Sequence, residues 1–277
     1  MSQILDGKAL RDEILDDLKN QISKLDQKPE LVIIQVGDLA ESNTYIEQKI
    51  KFGEKIGAIV THKKLPLDIA ESELIREIQL ANDDENVNGI IIQLPIPQSL
   101  NKEKIIDSIS PQKDVDGQTA ISIKSLVVGS PTFIPATTKG VITLLDANKI
   151  DPSGKHVVVV GRSTLVGKPT ALALLNRDAT VTIAHKKTQN LQAITKSADI
   201  IVVATGKPKL ITKDYVSENQ IIIDIGITVV DGKLVGDVDF ENVKDLVAAI
   251  SPVPGGAGPM TVASLFQNLL EAYQKQS

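Results

Sequence analysis

The sequence predicts an α/β protein built as two α/β domains around a cleft, the second a Rossmann-like, doubly wound, mostly parallel sheet. Three observations predict it. Short apolar runs alternate with amphipathic helical stretches along the whole chain, the pattern of a parallel sheet covered on both faces. One run, VVVV at 157–160, ends in Gly161 and passes into helical spacing from Val166, the strand–turn–helix corner that receives phosphate at a helix N-terminus. The 277 residues, 42% of them hydrophobic, suffice for two modest cores.

Taken in order, Leu10, Ile14, Leu18, Ile22 and Leu25 recur at helical spacing, so residues 7–25 form an amphipathic helix with Asp6 as N-cap. Residues 31–37 (LVIIQVG) read as a buried strand, 40–56 as a helix, and 58–65 as a partly exposed strand. Asp68 and Glu71 form a capping box before the helix at 71–83. NGIIIQLP at 88–95 is a second buried strand, and NKEKIIDSI a short helix. Residues 110–120 read as a polar loop, and 133–138, with Pro131 and Pro135 nearby, as the crossing between domains. A helix at 141–149 leads through the turn DPSGK to the valine strand. Strands follow at 181–184, 199–206, 220–226 and 246–250, with a helix at 191–198 and a hairpin turning on Asp231-Gly232. A Gly/Pro loop (SPVPGGAGPMT) leads into a closing helix, with Pro259 in its first turn. The expected division is 1–136 for the first domain, to which the closing helix at 259–277 returns, and 137–258 for the second.

Composition excludes several classes of function. A net charge of −5 and a pI near 5.3 argue against nucleic-acid or membrane-surface binding. No uncharged apolar run reaches the length of a membrane span, and the acidic, amphipathic N-terminus resembles neither a secretory signal nor a transit peptide. There is no cysteine, and His62, His156 and His185 are widely separated, so no metal site is expected. The expectation is a cytoplasmic, metal-free protein.

The glycine turn reads G-x-S-x-x-x-G, with Ser163 where a second glycine is usual and Gly167 one residue late. A dinucleotide corner selective for NAD carries an acidic residue at the end of the next strand to hold the ribose 2′-hydroxyl. Here His185, Lys186 and Lys187 occupy that place. A carboxylate would repel a 2′-phosphate and cations attract it, and Arg162 adds a guanidinium suited to phosphate. NADP is therefore the expected cofactor, although Lys186 and Lys187 also read as an ordinary solvated strand end.

In the first domain, Tyr45 and Lys49 share a helix face just beyond a glycine-ended strand, where ligands of open α/β sheets bind. The same pair also fits a plain solvated face. Gln93 closes a buried strand and needs a partner there. Asp114 and Asp116, in KDVDG, fit either turn chemistry or ligand binding.

Taken together, Tyr45-x-x-x-Lys49, Gln93-Leu94-Pro95, Lys113-Asp114-Val115-Asp116-Gly117, Pro135-x-Thr137, Gly161-Arg162-Ser163-x-x-Val166-Gly167-x-Pro169 and the loop from Pro252 to Thr261 resemble the bifunctional methylenetetrahydrofolate dehydrogenase/methenyltetrahydrofolate cyclohydrolase family, over essentially the whole chain. Ala136 and Thr138 stand where that family often has cysteine and proline, and Lys186 where many members have serine. The resemblance implies hydride transfer from 5,10-methylenetetrahydrofolate to NADP+, then hydrolysis of the methenyl product to 10-formyltetrahydrofolate. It implies Lys49 as the essential lysine, Gln93 as its tuning partner holding the amine uncharged, Tyr45 packed on the folate and Asp116 anchoring the pterin. It places Gly161, Arg162, Ser163 and Ile227 at the cofactor, where Lys186 in place of the usual serine keeps a phosphate partner, and implies a homodimer formed through the cofactor domain. Competing readings are a dehydrogenase with weak hydrolysis, a regulatory NADP-binding module, and an unrelated NADP oxidoreductase acting on a hydroxy acid.

Overall fold

Each buried apolar run becomes a strand and each amphipathic stretch a helix in the computed structural model, which describes residues 2–276. The chain opens with β1 (Gln3–Ile4) and α1 (Gly7–Ile22), then β2 (Glu30–Val36), α2 (Ala40–Ile56), β3 (Ile59–Leu65), α3 (Glu71–Asp83) and β4 (Val87–Gln93). Three helices follow, α4 (Lys102–Ile106), α5 (Ala120–Val127) and α6 (Ala136–Ala147). The alternation resumes with β5 (His156–Val160), α7 (Gly167–Leu175), β6 (Thr180–Ala184), α8 (Leu191–Lys196), β7 (Ile200–Val203) and β8 (Ile221–Asp224). A hairpin of β9 (Thr228–Val230) and β10 (Lys233–Val235), then α9 (Phe240–Val243), β11 (Ala249–Ile250) and α10 (Ala257–Gln276), complete the fold.

The chain divides into two compact units. One comprises the residues up to Asp12 and Thr137–Thr261, the other Glu13–Ala136 and the residues from Val262 on. The start of the chain, placed with the first domain by sequence, clusters in the other unit because β1 pairs in parallel with β11, Gln3 opposite Ala249 and Ile4 opposite Ile250.

The smaller sheet has the order β3-β2-β4 and is wholly parallel. The central strand β2 is buried along Leu31, Val32, Ile33 and Ile34, all at 2% exposure or less, as a strand covered on both faces must be. α10 returns to this unit. Its Phe266 stacks on Phe52 of α2 with ring centroids 5.1 Å apart, and Asn268 donates to the carbonyls of Val115 and Ile134 at 2.8 and 2.9 Å.

The larger sheet has the order β1-β11-β8-β7-β5-β6, every pair parallel. Because β5 lies between β6 and β7, the chain reverses direction across the sheet at β5, a switch point whose carboxyl edge is the ligand position in open α/β sheets. Val157 to Val160 are at most 1% exposed. The β9–β10 hairpin turns on Asp231 (φ 50°) and Gly232 (φ 74°), the left-handed pair a two-residue hairpin requires. Thr138, where the resembled family often has proline, is fully buried and hydrogen-bonds Thr170 at 3.1 Å.

Local signals held at some ends and failed at others. Asp6 does cap α1, accepting from the amides of Lys8 and Ala9. The capping box before α3 does not form. Ala70 occupies the cap position, and Glu71 reaches away to the amide of Asn101 and the ammonium of Lys104. The stretch read as loop and crossing holds α5, capped by Thr119 accepting from the Ser122 amide.

Replacing Asn268 with alanine strands the buried Val115 carbonyl and the partly buried Ile134 carbonyl. Chemical denaturation is expected to show a loss of about 1–3 kcal/mol, the cost of one buried unpaired group.

Candidate active site

The smaller unit builds its site at the carboxyl ends of β2 and β4. β2 ends at Gly37, whose φ of +78° turns the chain and whose amide donates to Leu65 at 2.9 Å. α2 starts three residues on and buries Ser42, Ile46, Phe52 and Ile56. Lys49 lies on the margin of this stripe, half-buried, with Tyr45 one turn earlier and 45% exposed. Gln93, the last residue of β4, is buried. The Lys49 Nζ donates to Gln93 Oε1 at 2.8 Å, and Gln93 Nε2 donates to the Leu94 carbonyl at 2.9 Å, which fixes the amide's orientation.

Asp116 reaches the same place from the KDVDG turn. The turn is tied to β4 by the Ile90 amide donating to Lys113 at 2.8 Å. The two aspartates divide their roles. Asp114 is 1% exposed and accepts from the amides of Gln118 and Thr119 and from the Ser122 hydroxyl, so it is the turn's internal clip. Asp116 is bonded by the Gln118 side-chain amide. Lys113 is spent on structure, its ammonium bonding the carbonyls of Ala81, Asn82 and Asp84 at the end of α3.

Burial lowers the basicity of Lys49 below the usual lysine value, and the charge of Asp116 opposes this. Burial pushes Asp116 up to about 7, with the Lys49 charge and the Gln118 bond opposing and Asp114 reinforcing the rise. The sequence assigned the uncharging of Lys49 to Gln93. The structure gives that effect to burial, since an amide oxygen accepts from an ammonium at least as well as from an amine. Gln93 holds the nitrogen by accepting its hydrogen bond.

A polar chain that the sequence reading missed braces the start of α2. His62 Nε2 meets Gln35 Oε1 at 2.8 Å, Gln35 Nε2 donates to Asn43 Oδ1 at 2.8 Å, and Asn43 Nδ2 donates to Asp38 at 2.7 Å. Its one sequence signal was a glutamine inside the apolar run of β2, the same signal that singled out Gln93.

In the larger unit, Gly161 has φ +138° and fits only as glycine, because a Cβ there would lie 2.2 Å from the Ala204 carbonyl oxygen. Gly167 fits for the same reason, with the Gly161 carbonyl oxygen 2.4 Å from where its Cβ would be. The turn and the first residue of α7 are thus pressed together, leaving backbone open to a phosphate as the dinucleotide corner requires. Ser163 accepts from the amides of Val166 and Gly167, both at 3.2 Å, and so closes the turn from within. Arg162 and Lys186 are exposed, and Ile227 is half-buried just after β8. No acidic residue ends β6, where a short turn joins His185 to Thr188. The residues present fit a phosphorylated dinucleotide. Among the described residues, no three His, Cys, Asp or Glu side chains cluster to hold a metal.

Residues 5–116 match the catalytic domain of tetrahydrofolate dehydrogenase/cyclohydrolase, and residues 135–277 match the NAD(P)-binding domain of the same enzymes. The chain belongs to the tetrahydrofolate dehydrogenase/cyclohydrolase family. It is 48% identical to the bifunctional protein FolD of Sulfurihydrogenibium sp., across 99% of this chain and 98% of that one. It is similar to the crystal structure of the bifunctional enzyme FolD from Campylobacter jejuni, with a TM-score of 0.98, 41% identity and all of both chains covered. The Trypanosoma brucei FolD, solved with NADP cofactor and inhibitor, matches with a TM-score of 0.95 at 32% identity over 99% of this chain and 98% of that one.

The raised Asp116 sets a pH dependence. Its folded value of about 7 lies above the ordinary 3.8, so its contribution to stability is full below the unfolded value and lost as pH rises through about 7. An Asp116→Asn variant stays neutral throughout. Its unfolding midpoint is expected to rise relative to the parent protein as pH increases from about 4 to about 8, and a constant difference would contradict the shift.

Proposed function

We propose that Lys49, Gln93, Tyr45 and Asp116 carry the family's two-step conversion in this chain, with Gly161, Arg162, Ser163, Lys186 and Ile227 holding the cofactor. The enzyme oxidises 5,10-methylenetetrahydrofolate to 5,10-methenyltetrahydrofolate with NADP+ and hydrolyses that product to 10-formyltetrahydrofolate. The observation that carries the residue assignment is the Lys49 amine aimed by Gln93 at 2.8 Å and charge-coupled to Asp116.

When bound, NADP+ supplies the hydride acceptor. The carbon that gives up hydride is flanked by two nitrogens, which spread the positive charge that results. The chain's task in this step is alignment. Asp116, as a carboxylate, accepts two hydrogen bonds from the amide-like edge of the pterin. Tyr45, exposed on α2, stacks on the flat ring.

In the second step water attacks the methenyl carbon. An ammonium beside a cation would repel it, whereas an amine whose basicity is lowered by burial takes a proton from the attacking water. The carbon–N5 bond then breaks and N5 is protonated. One of the water's protons ends on N5 and the other is released, so the charge of the methenyl cation leaves as a proton. Gln93 keeps the amine pointed at this carbon through both protonation states.

At the cofactor, Gly161 lets backbone approach the pyrophosphate, Ser163 holds the turn closed behind it, and Ile227 offers an apolar contact. Arg162 and Lys186 give two cations to a 2′-phosphate where no acid repels it. A homodimer through this unit and a cytoplasmic location are part of the proposal. An edge strand β6 with Ile183 42% exposed, and Val229 60% exposed on the hairpin, support the first. No described helix is long and apolar enough to cross a membrane.

Purified protein given methylenetetrahydrofolate should reduce NADP+, and methenyl absorbance should decay faster than in buffer. No reduction would remove the assignment. Lys49→Met is expected to slow hydrolysis by about 10²–10⁴-fold, the usual contribution of a proton-transfer group, with NADP+ binding retained. Arg162→Ala should raise KM for NADP+ about tenfold through loss of a charge-assisted bond. An equal rise with NAD+ would count against 2′-phosphate recognition.

A further inference from the structure

Asp237, just after β10, is a carboxylate with no exposure that plays no part in the mechanism above. Its Oδ2 accepts three hydrogen bonds, from the Thr205 amide at 2.6 Å, the Thr205 hydroxyl at 2.8 Å and the Gly206 amide at 2.9 Å. All three donors belong to the turn that leaves the carboxyl end of β7. Its Oδ1 has no hydrogen-bond partner, and the whole carboxyl packs on Gly226, where a Cβ would lie 2.0 Å from its carbon and 2.3 Å from either oxygen. Asp224, at the end of β8, holds this arrangement from the other side, accepting from the amides of Gly226, Asp237 and Val238 at 3.0, 3.1 and 2.8 Å. Gly236 is needed so that Asp224 fits, since a Cβ there would be 2.1 Å from its Oδ2.

The held turn borders the cofactor corner. Ala204, one residue before Thr205, is the residue against which Gly161 is pressed, 2.2 Å from a Cβ placed there. Gly226, against which the Asp237 carboxyl packs, immediately precedes Ile227. A buried carboxylate with one orphaned oxygen is a costly way to fill space. Its three bonds all go to a loop at the ligand edge of the sheet and none to the core beneath.

We propose that Asp237 is a positioning residue for the dehydrogenase step, its carboxylate setting the turn at Thr205 and Gly206 against which the dinucleotide-binding corner is seated. This rests on the assignment of the larger unit to NADP. Asp237→Ala takes the shared acceptor from the three donors of Thr205 and Gly206 and lets the turn move. Asp237→Asn keeps an oxygen that can accept from all three.

The test uses both activities of the full-length enzyme, with hydrolysis of the methenyl compound followed in the absence of NADP+ as the measure of the other unit. Asp237→Ala is expected to raise KM for NADP+ about tenfold or more, the effect of losing a charge-assisted bond. Hydrolysis should be unchanged, and Asp237→Asn should restore most of the affinity. An unchanged KM for NADP+, a parallel fall of both activities, or an Asp237→Asn variant as impaired as the alanine would each overturn the proposal. If the alanine variant does not fold, Thr205→Val removes one donor of the three. A rise of about threefold in KM for NADP+, with hydrolysis intact, supports the role, in keeping with loss of a single bond, and no change overturns it. A parent enzyme unable to reduce NADP+ would instead remove the cofactor assignment itself.

Discussion

A lysine amine held against an amide oxygen at the end of a buried strand is the contact on which the smaller unit depends. To place that amine, α2 must follow the central strand β2 and cross toward β4. Gly37 supplies the turn, and Gly53 supplies the close approach, since a Cβ there would lie 2.4 Å from the Val60 side chain. Phe266, brought back by α10, stacks on Phe52 and loads the helix from its outer half. The chemistry then follows from dielectric. The same burial that weakens the lysine's hold on its proton strengthens the carboxyl's, while the charge of each opposes the other's shift.

Both sheets use one topological device. In each, the first strand of the series lies between the next two, β2 between β3 and β4 and β5 between β6 and β7. The loops leaving its carboxyl end diverge and open a crevice. What fills that edge differs with the ligand's charge. The smaller unit brings titratable side chains there. The larger brings backbone, kept bare by glycines at 161 and 167. Ser163 shows how the turn closes without a second glycine. Its hydroxyl closes the turn by bonding the amides of Val166 and Gly167, a task for which a glycine has no side chain.

The sequence by itself determined the alternation of strand and helix, because period and apolar content report how many faces of an element are buried, and that is a local property. It also determined the turns in which one residue is geometrically obligatory, such as Asp231-Gly232 and Gly161. A glutamine inside an apolar run was enough to mark Gln93. The family resemblance, carried by long motifs, singled out Lys49 and Asp116 where spacing alone left them open.

Only the tertiary structure showed that Asp114 clips its own turn, bonding Gln118, Thr119 and Ser122, since it shares a five-residue motif with Asp116 and differs from it in what surrounds it. The same holds for Glu71, drawn from a local cap to partners about thirty residues away, for β1, which exists only because β11 offers it an edge, and for Asp237, whose three donors come from another loop. Each of these turns on burial and on partners distant in the chain. Those are fixed when the sheets assemble and leave no trace in the order of neighbouring residues.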